Sequence, residues 1–294
     1  MATKSGFVSI VGRPNVGKST LLNSIIGRKV AIVSDKPQTT RNRIQGIYTT
    51  ERGQIIFVDT PGIHKPKHRL GEYMADITSR ALREVDLILY VVDASVPPGV
   101  GEDYIINNLI NLEPPVFLVP NKIDLVDESQ VMNLIQQLGT KMKFAEVIPV
   151  SATMNRNLDR LVDALFDYLP EGPLYYPEGE YTDQPERFII AELIREKALY
   201  LTREEVPHSL AVEIEDFEPR NHLIYVRATI YTERESQKGI VIGKNSSMLK
   251  KIGQMARQDI ENLLGSQVYL ELWVKVKKDW RNNETQLKNL VYRF

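Results

Sequence analysis

Gly12-Arg13-Pro14-Asn15-Val16-Gly17-Lys18-Ser19 decides how this chain reads. The octapeptide follows the apolar run Phe7 to Val11 and precedes Leu21, Leu22, Ile25 and Ile26, which recur at helical spacing. It therefore lies between a buried strand and an amphipathic helix, the setting in which G-x-x-x-x-G-K-[ST] is a phosphate loop. Gly12, Asn15, Val16 and Gly17 turn backbone N–H groups inward around a β-phosphate, and the next helix adds its own unpaired N–H groups and partial positive charge. Lys18 reaches the β- and γ-phosphates, and Ser19 offers the hard oxygen that Mg²⁺ prefers. Thr20 completes this nucleotide-binding set. The plain alternative is a glycine turn that only lets strand and helix pack closely.

Outward from this loop, apolar runs recur at Ile55 to Val58, Leu87 to Val92, Val116 to Val119 and Val147 to Val150, with helical patterns between them. Leu158, Leu161, Val162, Leu165 and Leu169 close the region as an amphipathic helix. The alternation predicts a doubly wound α/β sheet, which binds ligands outside the carboxyl ends of its strands. Further motifs fall at those ends. Asp59-Thr60-Pro61-Gly62 places Asp59 to hold Mg²⁺ through water and the Gly62 N–H to reach a γ-phosphate. In Asn121-Lys122-Ile123-Asp124, the Asp124 carboxylate can accept from guanine N1–H and the 2-amino group, which adenine does not match. Lys122 can lie along the purine face, and Asn121 ties the base loop to the phosphate loop. Ser151-Ala152 follows, with the Ala152 N–H aimed at guanine O6. The order of these motifs selects GTP and GDP as ligands.

Between phosphate loop and Asp59 runs Pro37-Gln38-Thr39-Thr40-Arg41, expected to order with GTP and loosen after hydrolysis. Thr40 is the choice for the Mg²⁺ shell, with Thr39 close behind, so the metal set is Ser19, Thr40 and Asp59. Lys18, Thr40 and Gly62 are the candidate catalytic residues. Ile63 stands where Ras-like enzymes carry a water-orienting glutamine, which predicts slow intrinsic turnover. For Asn15 two readings stand: a K⁺ ion beside the phosphates, or a brace for the loop.

Composition sets the outer bounds. The chain has 294 residues, 43% hydrophobic and 26% charged, enough for two globular domains, and no cysteine, which excludes disulfides and thiolate chemistry. No apolar run approaches the roughly 18 residues of a membrane span, and no secretory signal is read, so a cytoplasmic location is expected. The stretch 170–185, with four prolines and no periodicity, marks a boundary. We expect a GTP-binding domain at 1–170, a linker at 171–184 and a smaller α+β domain at 185–294. Charge changes sign inside the latter: 183–233 carries 6 basic against 11 acidic residues, 234–281 carries 10 against 5. A local basic excess suits a phosphate-backbone partner, or is a solvated face. The element order is helix, strand, strand, helix, glycine turn at Gly243, helix, strand. In the last strand Val268, Leu270, Leu272, Val274 and Val276 alternate with Tyr269, Glu271, Trp273, Lys275 and Lys277.

GRPNVGKS, the QTTR segment, DTPG, NKID and SA, followed by VIGKNSSMLKKIG, resemble the Era family of bacterial GTPases over essentially the whole chain. The resemblance implies a carboxy-terminal type II KH domain, where a GxxG turn lets single-stranded RNA approach beside a hydrophobic groove. The RNA-binding set is then Lys238, Ile242, Gly243, Lys244, Asn245, Ser246, Lys250 and Lys251, with Arg257 adding to the positive field. Ser246 replaces the second glycine; it is expected to cap the following helix and to crowd the phosphate. The resemblance further implies a factor in 30S ribosomal subunit assembly that binds the 3′ end of small-subunit ribosomal RNA, with peripheral membrane contact and no DNA partner. Two competing classes are an RNA-binding scaffold with a structural nucleotide site and a GTPase signalling through protein or membrane partners without RNA.

Overall fold

Six strands build the sheet that carries the phosphate loop: β1 (Lys4–Val11), β2 (Ile44–Thr50), β3 (Gly53–Asp59), β4 (Leu87–Asp93), β5 (Val116–Asn121) and β6 (Glu146–Val147). The structure, a computed structural model, describes residues 3–34, 36, 39–63, 68–204 and 206–290. Strand order is β2-β3-β1-β4-β5-β6, parallel throughout except where β2 pairs antiparallel with β3. Every residue of β3 is buried, as is Leu87 to Val92 of β4, because helices cover both faces of a parallel sheet. The helices are α1 (Lys18–Ile26), α2 (Arg69–Arg83), α3 (Val100–Leu109), α4 (Glu128–Gly139) and α5 (Leu158–Tyr168).

Two elements depart from the sequence reading. β2 carries no strong periodicity because it is an edge strand, half-buried, joined to β3 across the turn Glu51-Arg52. Of the run expected from Val147 to Val150, only Val147 lies in a strand, the two-residue edge strand Glu146–Val147. Ile148 and Val150 still donate to the carbonyls of Leu118 and Pro120 at 3.0 and 2.7 Å.

The chain divides into two compact units, the first ending at Asp183. Two short segments, Ile32–Thr39 and one ending at Leu70, group with the second. Within the first unit the proline-rich stretch is bonded to the sheet. The buried Gln54 side chain accepts from the N–H groups of Tyr175 and Tyr176, both at 2.9 Å, and the Ile47 N–H donates to the Tyr181 carbonyl.

The second unit contains α6 (Glu186–Leu201), β7 (Ala211–Arg220), β8 (Leu223–Thr232), α7 (Glu235–Ile242), α8 (Ser247–Leu264), β9 (Val268–Val276) and α9 (Glu284–Leu290). Its sheet runs β7-β8-β9, the first pair antiparallel and the second parallel. A parallel pair needs a crossover, supplied by α7, the Gly243 turn and α8. Val226, Ala228 and Ile230 of β8 stand opposite Leu270, Leu272 and Val274 of β9 on the face that the helices cover. The sequence reading missed α9 and the role of Trp280, which is fully buried and donates from Nε1 to the Ser209 carbonyl at 2.8 Å. Among the described residues no helix is long and apolar enough to cross a membrane.

Candidate nucleotide and nucleic-acid sites

The carboxyl ends of β1, β3, β4 and β5 bring the first group of motifs to one edge of the sheet. Lys18, in the first turn of α1, is almost wholly buried, and its Nζ donates to the carbonyls of Gly12 and Arg13 at 3.2 and 2.9 Å. Burial lowers its pKa to about 8 despite the attraction of Asp59. Asp59 is fully buried, and that burial pushes its carboxyl up, opposed by Lys18 and by hydrogen bonds from Ser19 and Thr40. Ser19 Oγ donates to Asp59 Oδ2 at 2.8 Å, Thr40 Oγ1 donates to the same oxygen at 3.1 Å, and the two hydroxyls are 3.3 Å apart. Thr39 turns elsewhere, its hydroxyl donating to the Lys36 carbonyl at 2.6 Å. Of the segment before it, Pro37 and Gln38 lie outside the described residues. Three oxygens thus converge beside a buried lysine, and the second Asp59 oxygen, Oδ1, is buried without a hydrogen-bond partner. A hard divalent cation fits that donor set, since it would satisfy the orphaned oxygen and relieve the carboxylate's desolvation.

The base side is tied to the phosphate side through one side chain. Asn121 donates from Nδ2 to the Val16 carbonyl at 2.9 Å and accepts from the Ala152 N–H at 3.0 Å. Gly17 makes room for it: with φ of 96°, a Cβ there would lie 2.3 Å from Asn121 Nδ2. The Ala152 N–H, expected to face guanine O6, is engaged by Asn121, so an O6 acceptor must share it. Lys122 holds a left-handed backbone (φ 65°) and donates to the Asn15 carbonyl at 2.9 Å and to Asp93 Oδ2 at 2.5 Å. Burial raises the Asp93 pKa, but hydrogen bonds from Lys122 and Ser95 outweigh it and leave the carboxyl below its usual value. Asp124 is exposed in the short 3-10 turn Ile123–Leu125, its carboxylate open to a ligand. Ser151 is buried and its Oγ accepts from the Met154 N–H at 3.2 Å. Val16 is buried and Thr20 half-buried in α1.

In the second unit, α7 ends at Ile242 and Gly243 turns the chain into Lys244, Asn245 and Ser246 before α8. Ser246 occupies the left-handed region (φ 60°, ψ 22°) and makes no side-chain cap. The expected capping role is therefore corrected: a capping serine needs an extended backbone, which the turn denies it. A groove of about 430 Å³ opens between α8 and β9, lined by Leu249, Gly253, Leu270 and Leu272 with Lys250 and Arg257 at its side. Lys244, Asn245, Lys250 and Lys251 are exposed around it, and Lys238 approaches Glu235 at 3.9 Å.

Comparison with known proteins now decides the family. Residues 7–122 match the model of the 50S ribosome-binding GTPases and residues 205–281 that of the KH domain. The GTPase Era of Carboxydothermus hydrogenoformans is 56% identical over 294 residues, 99% of each chain; that of Heliobacterium modesticaldum is 60% identical over 291 residues, 98% of this chain and 97% of its own. The chain belongs to the Era family of GTPases. Aquifex aeolicus Era, crystallised as a point variant with GDP·AlF4⁻, superposes with a TM-score of 0.95 at 44% identity, covering 99% of this chain and 100% of that one. Era solved with MgGDPNP and nucleotides 1506–1542 of 16S ribosomal RNA superposes at 0.96, with the same identity and coverage. As an Era-family member the chain is a GTPase with a mixed α/β nucleotide domain and a KH domain.

Some contacts in this Era-family site escaped the sequence reading. Arg13 meets Glu102 of α3 with both carboxylate oxygens at 3.1 Å, and Glu102 also accepts from the Gly99 N–H at 2.9 Å. This pair joins the phosphate loop to α3 across 89 residues of sequence. Asp93, which closes β4, was legible only as an acidic residue ending an apolar run.

Proposed function

We propose that this chain is a GTP-hydrolysing switch that binds the 3′ end of small-subunit ribosomal RNA through its KH groove and assists 30S subunit assembly. The observation that carries the nucleotide half is the convergence of Ser19, Thr40 and Asp59 oxygens beside buried Lys18. Support for the RNA half is the basic turn and groove of α8 and β9, in a chain closely similar to an Era solved with 16S ribosomal RNA. The domains that divide this work are 1–170 for GTP and 185–294 for RNA, with 171–184 between them.

Ser19, Thr40 and Asp59 would hold Mg²⁺, which supplies charge neutralisation for the phosphate oxygens when bound. Lys18 adds a cation at the β- and γ-phosphates, and Gly62 a backbone donor at the γ-phosphate. Asp124 reads the guanine edge, and Lys122, pinned between Asn15 and Asp93, keeps the base loop against the phosphate loop. Ile63 packs on the apolar core and has no group to orient water, so intrinsic turnover is slow. Whether Asn15 serves a K⁺ ion is decided by comparing hydrolysis in K⁺ and Na⁺ at matched ionic strength. The chain works in the cytoplasm; peripheral membrane contact is implied by resemblance alone.

The test is titration of the full chain, loaded with GDP or a non-hydrolysable GTP analogue, with RNA spanning nucleotides 1506–1542 of 16S ribosomal RNA. Saturable binding that differs between the two loadings is expected. Absence of binding at low salt in either state, with turnover intact, would leave a GTPase that signals without RNA.

A further inference from the structure

Arg13 puts a long cation into the phosphate loop, yet its guanidinium leaves the loop for the first turn of α3. There its Nη1 lies 3.1 Å from both carboxylate oxygens of Glu102. The two partners differ in setting: the Glu102 side chain is 6% exposed and that of Arg13 41%. A buried carboxylate has lost its water and needs fixed donors in exchange. Glu102 finds one in the Gly99 N–H at 2.9 Å, which starts its own helix, and the opposite charge in Arg13. With one partner buried, separating the pair costs more than separating two solvated ions.

The helix is shaped to receive this side chain. A Cβ at Gly101 would lie 2.8 Å from Arg13 Cδ and 2.9 Å from its Nε, so any larger residue there would push Arg13 aside. Glycine is the weakest helix former short of proline, and at 101 it leaves room for Arg13. The backbone of the same arginine holds the catalytic lysine: Lys18 Nζ donates to the Arg13 carbonyl at 2.9 Å and to the Gly12 carbonyl at 3.2 Å. Lysine carries its charge on a flexible stem, so the acceptors that hold the ammonium decide where that charge sits. The Arg13 side chain and carbonyl group branch from one Cα, and anchoring the first on α3 restrains the second.

We propose that Arg13 and Glu102 are positioning residues for nucleotide binding: their ion pair fixes the phosphate loop against α3 and so sets the carbonyls that aim Lys18 at the phosphates. This rests on the reading of the chain as a GTPase in which Lys18 meets the β- and γ-phosphates. Glu102 touches no nucleotide and acts through Arg13 alone. Since Lys18 meets the β-phosphate in GDP and GTP alike, a loosened loop weakens both nucleotides. Loss of Thr40 or Gly62, which serve the triphosphate, would instead spare GDP.

The test follows the release of fluorescently labelled GDP from the full-length protein in Mg²⁺ for Arg13→Gln, Glu102→Gln and the double variant, alongside the thermal midpoint of each. Glutamine at 102 keeps an acceptor for the Gly99 N–H, so the start of α3 is retained. Each single substitution is expected to speed release about five- to tenfold, and the double variant to be no faster than either, since both break one pair. Gly101→Ala separates this role from a merely structural one: alanine favours the helix, so the midpoint holds or rises, while the added Cβ displaces Arg13 and release quickens. Unchanged release in either single variant, a double variant as fast as the product of the two single effects, or slow release in Gly101→Ala overturns the proposal. Should Glu102→Gln not fold, Arg13→Lys, which keeps the charge, is set against Arg13→Gln; slow release in the first and fast in the second is expected, and equal rates overturn it. If the unsubstituted protein binds no guanine nucleotide, the GTPase reading itself has failed, which these variants cannot mimic.

Discussion

Lys18 is a charged group held in an environment that disfavours its charge, and this gives nucleotide binding a pH dependence of known sign. Burial lowers its pKa from 10.5 to about 8, so between those values the unfolded chain binds more protons than the folded one. The stability of the nucleotide-free protein therefore gains from this residue as pH rises from about 8 towards 10.5. A bound phosphate reverses the balance by holding the ammonium charged. Binding above pH 8 must then take up a proton, and affinity for GDP falls with rising pH, at a limiting slope of about tenfold per unit. Calorimetry at pH 9 in two buffers of different ionisation enthalpy checks this; equal heats would mean no proton is taken up. Base selection rests on another residue, the exposed carboxylate of Asp124. Asp124→Asn removes an acceptor for two guanine donors, so GTP affinity is expected to fall about 100-fold or more and preference to move towards xanthosine triphosphate. Competition between the two nucleotides reads the change directly.

At the scale of elements, the turn into α8 carries a conflict between residue and backbone. Ser246 is held at φ 60°, a region that costs an L-residue about 1–2 kcal/mol, partly offset by the greater unfolded-state freedom of glycine. Ser246→Gly is expected to stabilise the protein by about 0.5–1 kcal/mol and to bring RNA closer to the turn without altering nucleotide affinity. Denaturant unfolding and RNA titration measure the two effects. The serine was legible as a departure from GxxG, but its missing cap was not, because capping depends on a backbone angle that the letters do not state. The same distinction explains the rest. Motifs at strand ends were readable since spacing and residue type suffice when a strand, a loop and a helix follow in order. Asn121 meeting Ala152 and Arg13 meeting Glu102 join distant parts of the chain, and nothing local records them. Edge strand β2 escaped because it is only half-buried, and its Gln45, Gly46, Thr49 and Thr50 leave no apolar run of the kind that marks a buried strand.

Over the whole molecule the formal net charge is −1, so long-range attraction to a polyanion is close to nil and any RNA affinity must be generated locally. The basic excess of 234–281 supplies that field, and the cations beside the α8 groove are exposed Lys244, Lys250, Lys251 and Arg257. Each phosphate neutralised on single-stranded RNA contributes about −0.7 to the slope of log affinity against log salt. If all of these residues meet phosphate, the slope is about −3, shallow for a nucleic-acid binder. The apolar groove formed by Leu249, Gly253, Leu270 and Leu272 must then supply the salt-independent remainder through base contacts. Lys250→Gln is expected to lower affinity and reduce the slope by about 0.7, with GDP binding unchanged, whereas Leu270→Ala should weaken binding at every salt concentration and leave the slope as it was. RNA titrations at several KCl concentrations separate the two. A slope that ignores Lys250→Gln would place the RNA backbone elsewhere on the molecule.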